Sequence, residues 1–197
     1  MKRYLFAIVF LLCAGLSFGY KILYAEQFYK LYHLHFYQYP DDILENIGYL
    51  EQALKADFCN PLYALAKIND KKDWERYRYL FKMHVNLRIT ALYLTLASKY
   101  DKMIAYFYNA PWQQDNLKSI DQAESIYKYA LGYWKEAQNW SNMASKLRVH
   151  LEKIQDWEDE SFRIQEGSLD YKHIIGKQLD RLTGVRKTFQ KMDKNTY

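Results

Sequence analysis

Five histidines and a few adjacent carboxylates are the residues of this chain whose types could do chemistry. His33 and His35 are two apart, which on a helix turns their side chains about 200° from one another. Two metal ligands on one helix need a spacing of three or four. His84, His150 and His173 each stand alone, read as hydrogen-bonded or surface groups. The acids gather at Asp41–Asp42 and at Glu158–Asp159–Glu160. Acid–base catalysis needs one carboxyl held in surroundings unlike its partner's, and neighbours on an exposed helix lack that asymmetry. Asp42 with Glu45 has capping-box spacing, and the 158–160 run reads as a solvated helix face. No zinc-ligand spacing, Gly-rich phosphate loop or nucleophile elbow is present. The expectation is a protein that is not an enzyme, with no catalytic residue, no metal and no cofactor.

What remains is binding. Trp112, with Gln113 and Gln114, lies in the polar stretch Asn109–Ser119, and Trp140 lies at an expected helix junction. A few large anchors surrounded by polar groups carry most of the energy of a protein interface. These four residues are therefore the candidate partner-binding positions. Cys59 is the one thiol left once Cys13 of the leader is set aside. It reads as a partly buried group and a labelling site.

The chain that must position these residues reads as all-α. Seven Gly and three Pro in 197 residues leave few turns, and no alternating run bounded by turn residues marks a strand. Tyr20, Tyr24, Phe28, Tyr32 and Phe36, spaced by four, predict one aromatic core face ended by Pro40. Ile43, Ile47, Leu50 and Leu54 predict a second helix, to near Asp57. Asn60–Pro61, a capping side chain followed by Pro, predicts a short helix to about Ile68. Residues 74–109 contain neither Gly nor Pro. There Tyr77, Phe81, His84, Leu87, Ala91 and Leu94 mark a stripe widened by Leu92, Tyr93 and Leu96. This segment, one helix or two divided at Ser98–Asp101, packs on several sides. A loop over 109–119 follows, then a helix through Ala123, Tyr127, Ala130, Leu131 and Trp134. Another runs from Ser141 to about Gln165, with Met143, Leu147, Leu151, Ile154 and Trp157 inward. The last uses Leu169, His173 or Ile174, Leu179, Leu182 and Phe189, for about seven helices in all.

Compartment is read from the N-terminus. Lys2 and Arg3 precede the uncharged run Tyr4–Gly19, and Ser17-Phe18-Gly19 offers small residues three and one before a cut ahead of Tyr20. The run is shorter than the ~20 residues of a spanning helix, yet Ile22–Ala25 continue its apolar character past Lys21. Residues 1–19 are thus a cleaved signal peptide or an uncleaved anchor covering residues 4–25, and residues 20–197 form a single helical domain. Both readings export the protein, to the periplasm, and the second joins it to the inner membrane. The net charge of +5 lacks the concentrated basic face that nucleic acid requires. The 20 Tyr, 10 Phe and 5 Trp can build a large core from rings.

The stretch "YLEQALKADFCNP", from Tyr49 to Pro61, resembles the second helix and exit corner of a tetratricopeptide repeat. Leu50, Ala53 and Leu54 match its helix contact, while Phe58 stands where that family usually has Pro. Ala123, Tyr127 and Ala130 resemble the same helix again, and Ala91 with Leu94, then Phe107 with Ala110, resemble a third unit in which Met103 replaces an Ala. Ala53, Ala110 and Ala130 lie 57 and 20 residues apart, against a repeat of ~34. The resemblance therefore implies irregular stacked helical hairpins, with Ala53, Leu54, Ala91, Ala110, Ala123, Tyr127 and Ala130 at helix contacts. The exported, aromatic-rich character also resembles periplasmic proteins of spirochaetes that build the collar around the flagellar motor. That resemblance implies a protein–protein interaction scaffold in a cell-envelope assembly. The other reading of a Tyr-rich interior is a carrier enclosing a small molecule or lipid.

Overall fold

The computed structural model describes residues 21–101 and 110–193. Within them the chain is all-helical, as the sequence predicts, and six α-helices are present rather than about seven. They are α1 (Ala25–Gln38), α2 (Ile43–Lys55), α3 (Lys71–Ser98), α4 (Gln113–Ser145), α5 (Gln155–Gln165) and α6 (Tyr171–Gln190). Pro61–Tyr63 and Ala110–Trp112 are single 3-10 turns. The leader, Tyr20, Met103, Phe107 and the side chain of Ala110 lie outside the described residues. No helix among the described residues is long and apolar enough to cross a membrane. Most of the expected anchor, residues 4–25, lies outside the described residues; of its last residues, Ala25 is fully buried in the first turn of α1 and Tyr24 pairs with Asp57.

Local chemistry places the helix starts. Asp42 accepts from the Glu45 amide, Asp70 from those of Lys72 and Asp73, and Asp170 from that of His173. Each satisfies first-turn donors that have no partner within the helix. Asn60 caps in the same way, accepting from Leu62. The helix expected from there to Ile68 nevertheless stops after one turn, because the Leu65 amide donates to the Tyr77 hydroxyl (3.3 Å). Gly167 follows α5 at φ +80°, a left-handed conformation that costs glycine little.

Consecutive long helices lie antiparallel, since their contacts run in opposite order. Tyr79 meets Trp140 while Tyr93 meets Tyr129 and Tyr133. Trp134 meets Tyr171 while Gln113 reaches Phe189. The α3–α4 contact is the most extensive; α1 packs on α2, α2 on α3 and α6 on α4, and α5 lies against both α3 and α4. On α4, Ile120, Tyr127, Trp134 and Ser141 are buried, and so are Ala123, Ala130, Ala137 and Ala144. This seven-residue repeat keeps both sets on one seam, and its alanines let a neighbouring backbone approach closely.

The seam corrects two expected boundaries. It carries α4 straight through the junction expected at Trp140. It also begins inside the loop expected to Ser119, where Asn116 is already buried. The single helix expected from Ser141 to Gln165 is two, separated at residues 146–154, where Lys153 has φ +74°.

Two cores result. In one, rings pack on rings: Tyr29 lies 5.5 Å from Phe81 and 5.8 Å from Trp157, and Tyr77 lies 5.4 Å from Trp74. The other joins Ala97 of α3 to Ile120, Ala123, Tyr127 and Ala130 of α4 and Ile175, Leu182 and Phe189 of α6. The expected four-residue stripe of α1 is corrected. Ala25, Tyr29 and Tyr32 face inward, whereas Tyr24 and Phe36 are exposed. A step of four drifts about 40° each time, which takes the stripe off the core. Met143, His173 and Ile174 are likewise exposed, and Ile175 takes the inward place on α6. Among the expected helix contacts, Ala53, Ala123, Tyr127 and Ala130 are buried; Leu54 and Ala91 are half-buried.

Candidate partner-binding groove

The isolated histidine and the acidic run meet in the fold. His84 of α3 is buried, with Nε2 2.7 Å from the Tyr29 hydroxyl and Nδ1 2.5 Å from Glu160. A carboxylate accepts, so Nδ1 carries the proton and Nε2 accepts from Tyr29. Arg88 donates to Nε2 at 3.4 Å and to Glu160 at 2.9 Å. Trp157 stacks on the imidazole at 4.9 Å. Burial pushes the His84 pKa below its ordinary 6.5, against the opposing pull of Glu160.

The reading of residues 158–160 as a solvated face is corrected as well. Glu158 is buried and pairs through both oxygens with Arg76. Arg76 also donates to the carbonyls of Ala144 and Leu147 (2.6 Å each), and Glu158 accepts from the Leu151 amide. This pair ties the 146–154 connection to α3, and these groups are structural.

His35 forms a pairing that helix spacing could not show, because its partners belong to the next helix. A nitrogen of His35 and one oxygen each of Asp42 and Glu45 lie within 4.8 Å of one another. Each is already engaged: His35 with Asn46 (3.1 Å), Asp42 with the Glu45 amide, and Glu45 with the Tyr49 hydroxyl (2.8 Å). Cys59 proves a poor labelling site. It is buried, and burial together with Glu26 pushes its thiol up to about 12.

The four expected anchors do not form one surface. Trp112 precedes α4 and Trp140 lies near its end, so about 40 Å separates them at 1.5 Å per residue. Trp112 is 45% exposed and Gln114 is exposed. Gln113 is committed internally: its amide donates to the carbonyls of Phe189 (2.6 Å) and Met192 (3.0 Å), which fastens the end of α6.

Trp140 stands in a groove. Two adjoining clefts, of about 530 and 620 Å³, share Leu54, Lys82 and Trp140. Together they run along α3 and α4 and under the end of α2. Their aromatic wall is ordered: Tyr79 stacks on Trp140 at 5.8 Å, and Tyr93 lies behind Tyr133 at 5.5 Å. Tyr133 is fixed by donating to Glu51 (2.5 Å). Over this wall stand two cations one turn apart on α3. The Lys82 ammonium lies 4.4 Å from the Trp140 ring centroid, and the Arg78 guanidinium lies 5.8 Å from that of Trp74. Neither makes an ion pair among the described residues. Arg78 Nε is buried without a hydrogen-bond acceptor among them. Burial and the Arg78 charge push Lys82 below its ordinary 10.5.

Chemically, the groove offers flat rings for an apolar group and two cations that make no ion pair among the described residues, with Glu136 and Asp57 elsewhere on its lining. No sequence signal marked Arg78 or Lys82, because two basic residues four apart on a helix ordinarily face solvent.

No curated protein and no solved structure matches the chain. Residues 72–192, from the start of α3 to just past α6, match the family described as a domain of unknown function, DUF8513. That span is more than half of the chain, and the protein belongs to this family.

Proposed function

We propose that the protein is an interaction scaffold of a cell-envelope assembly, and that the α2–α3–α4 groove is its working surface. The occupant is a segment of a partner protein that carries a carboxylate beside an apolar side chain. The observation that carries this reading is the pair Arg78 and Lys82, held over Trp74 and Trp140 with no carboxylate partner among the described residues. Both cations are half-buried and Arg78 Nε has no acceptor among the described residues; a partner's carboxylate arriving between the two would supply the missing partner. The envelope setting comes from the leader's pattern, and the scaffold reading from the helical hairpins. The Tyr-rich interior is packed ring on ring (Tyr29, Phe81, Trp157), which supports a binding face more than an enclosed carrier cavity.

The test uses a photo-crosslinking residue at Tyr129, which lines the groove, and a control at Lys118, exposed on α4. Irradiated in intact cells, the groove position should trap one protein, and sequencing of the joined peptide should show Asp or Glu beside an apolar residue. Lys82→Glu should cut the yield about tenfold or more, the scale of an interface hot spot. Equal trapping from both positions, or a yield unmoved by Lys82→Glu, would remove the groove as the working surface.

A further inference from the structure

A second surface lies where the chain enters the fold. Tyr24 pairs with Asp57, the Ala25 amide donates to the Asp57 carbonyl (2.8 Å), and the Cys59 amide donates to Glu26 (3.0 Å). The entry is thus stitched to the connection between α2 and α3. That connection turns at Asn60, whose side chain accepts from Leu62 (3.0 Å). In the turn, Leu62 and Tyr63 are 86% and 74% exposed. Leu23 and Tyr24, at the entry, are 46% and 39% exposed. Tyr24, Lys30 and Tyr63 line one cleft, so the turn and the entry form one surface; Lys30 is exposed on it, and Lys21, three residues before Tyr24 in the chain, is exposed as well. Every backbone group here that caps or bridges is satisfied, so the outward Leu and Tyr are held by a built turn.

What this surface meets is indicated by the chain that joins it. The uncharged run Tyr4–Gly19 is followed by Tyr20 and then Lys21. Tyr is favoured at the membrane–water interface, where its ring is apolar and its hydroxyl wet. A lysine at the same depth meets anionic headgroups. We infer that this end of the helical domain rests on a bilayer surface, with Leu62 and Tyr63 entering the interfacial layer beside the leader and Lys21 and Lys30 at the headgroups. The proposal is independent of the groove.

The test is made on the full chain, with Cys13→Ser and Cys59→Ser removing the native thiols. Single cysteines, Tyr63→Cys or Lys118→Cys, carry an environment-sensitive fluorophore. Lys118 lies beyond the far end of α3, where Ser119 donates to the Tyr100 carbonyl, about 40 Å away at 1.5 Å per residue. The protein is reconstituted into phosphatidylglycerol–phosphatidylethanolamine vesicles that contain a lipid with a nitroxide near the headgroup. Position 63 should be quenched at least about twofold more than position 118 and should shift to the blue. Adding Leu62→Asp should remove the difference while the circular dichroism spectrum stays helical. Equal quenching at the two positions overturns the inference, and so does a chain that stays in solution.

Discussion

The two faces of α3 treat their charges in opposite ways. One face carries Arg76, His84 and Arg88, and all three are paired across the fold: Arg76 with Glu158, and His84 and Arg88 with Glu160. The other carries Arg78 and Lys82, which line the groove and lean on tryptophan rings instead of carboxylates. Successive helical residues turn by about 100°, so positions 78 and 82 fall outside the arc of about 120° that holds 76, 84 and 88. One helix thus supplies both a fastening and an open face. The charges that hold the fold have their counter-ions built in; Arg78 and Lys82, assigned to a partner under the proposed function, have none among the described residues.

The largest effect should come from breaking the fastening. Glu158→Gln leaves the largely buried Arg76 without its counter-ion. Removing one partner of a buried pair costs about 3–5 kcal/mol. The urea midpoint should fall accordingly with an unchanged slope. Replacing both, Arg76→Met with Glu158→Met, should recover part of that loss, because no lone charge stays buried. A single variant that unfolds like the parent would show that the pair contributes nothing, and the contrast between the faces would collapse.

The next effect is a pH dependence on the same face. Burial lowers the folded-state pKa of His84 below its ordinary 6.5, so the unfolded chain takes up that proton first as pH falls. Stability is therefore complete above about pH 6.5 and declines as pH drops through the window down to the folded-state pKa. The slope for one such group is at most about 1.4 kcal/mol per pH unit. Tyr29, Arg88, Glu160 and the Trp157 ring face His84. His84→Gln should flatten urea midpoints measured from about pH 7 to 5. Parallel profiles for variant and parent would assign the dependence elsewhere.

The all-helical architecture was legible in the sequence because scarce Gly and Pro leave little but helix. The cap at Asp42 and the Ala123–Tyr127–Ala130 contact were legible because both are local patterns. The fastening was not. Arg76 and Glu158, like His84 and Glu160, lie more than 70 residues apart in the chain, and an acidic run whose partners are that distant looks the same as a solvated one. The groove was half legible. Trp140 stood out by its type. Lys82, its companion, did not, because only the antiparallel placement of α3 and α4 brings the ammonium over the ring. Trp112 stood out equally and lies at the other end of α4, so residue type alone could not sort one tryptophan from the other.

The smallest expected effect is the most direct measure of the contrast. Lys82→Met and Arg78→Met remove charge from the open face and keep most of the apolar stem. At Lys82 two opposing contributions meet. Its contact with the Trp140 ring stabilises by about 0.5–1 kcal/mol, as for exposed cation–π pairs. The same burial that lowers its pKa penalises the charge and so works against that contact. Both variants should therefore unfold within about 0.5 kcal/mol of the parent, as surface substitutions usually do. The same variants should weaken capture of the acidic partner segment, whereas Glu158→Gln, assayed well below its melting temperature, should leave capture largely intact. A loss of stability from Lys82→Met as large as that from Glu158→Gln would make Lys82 part of the fastening. Both faces of α3 would then serve the fold, and the groove would lose its claim to an unpaired charge.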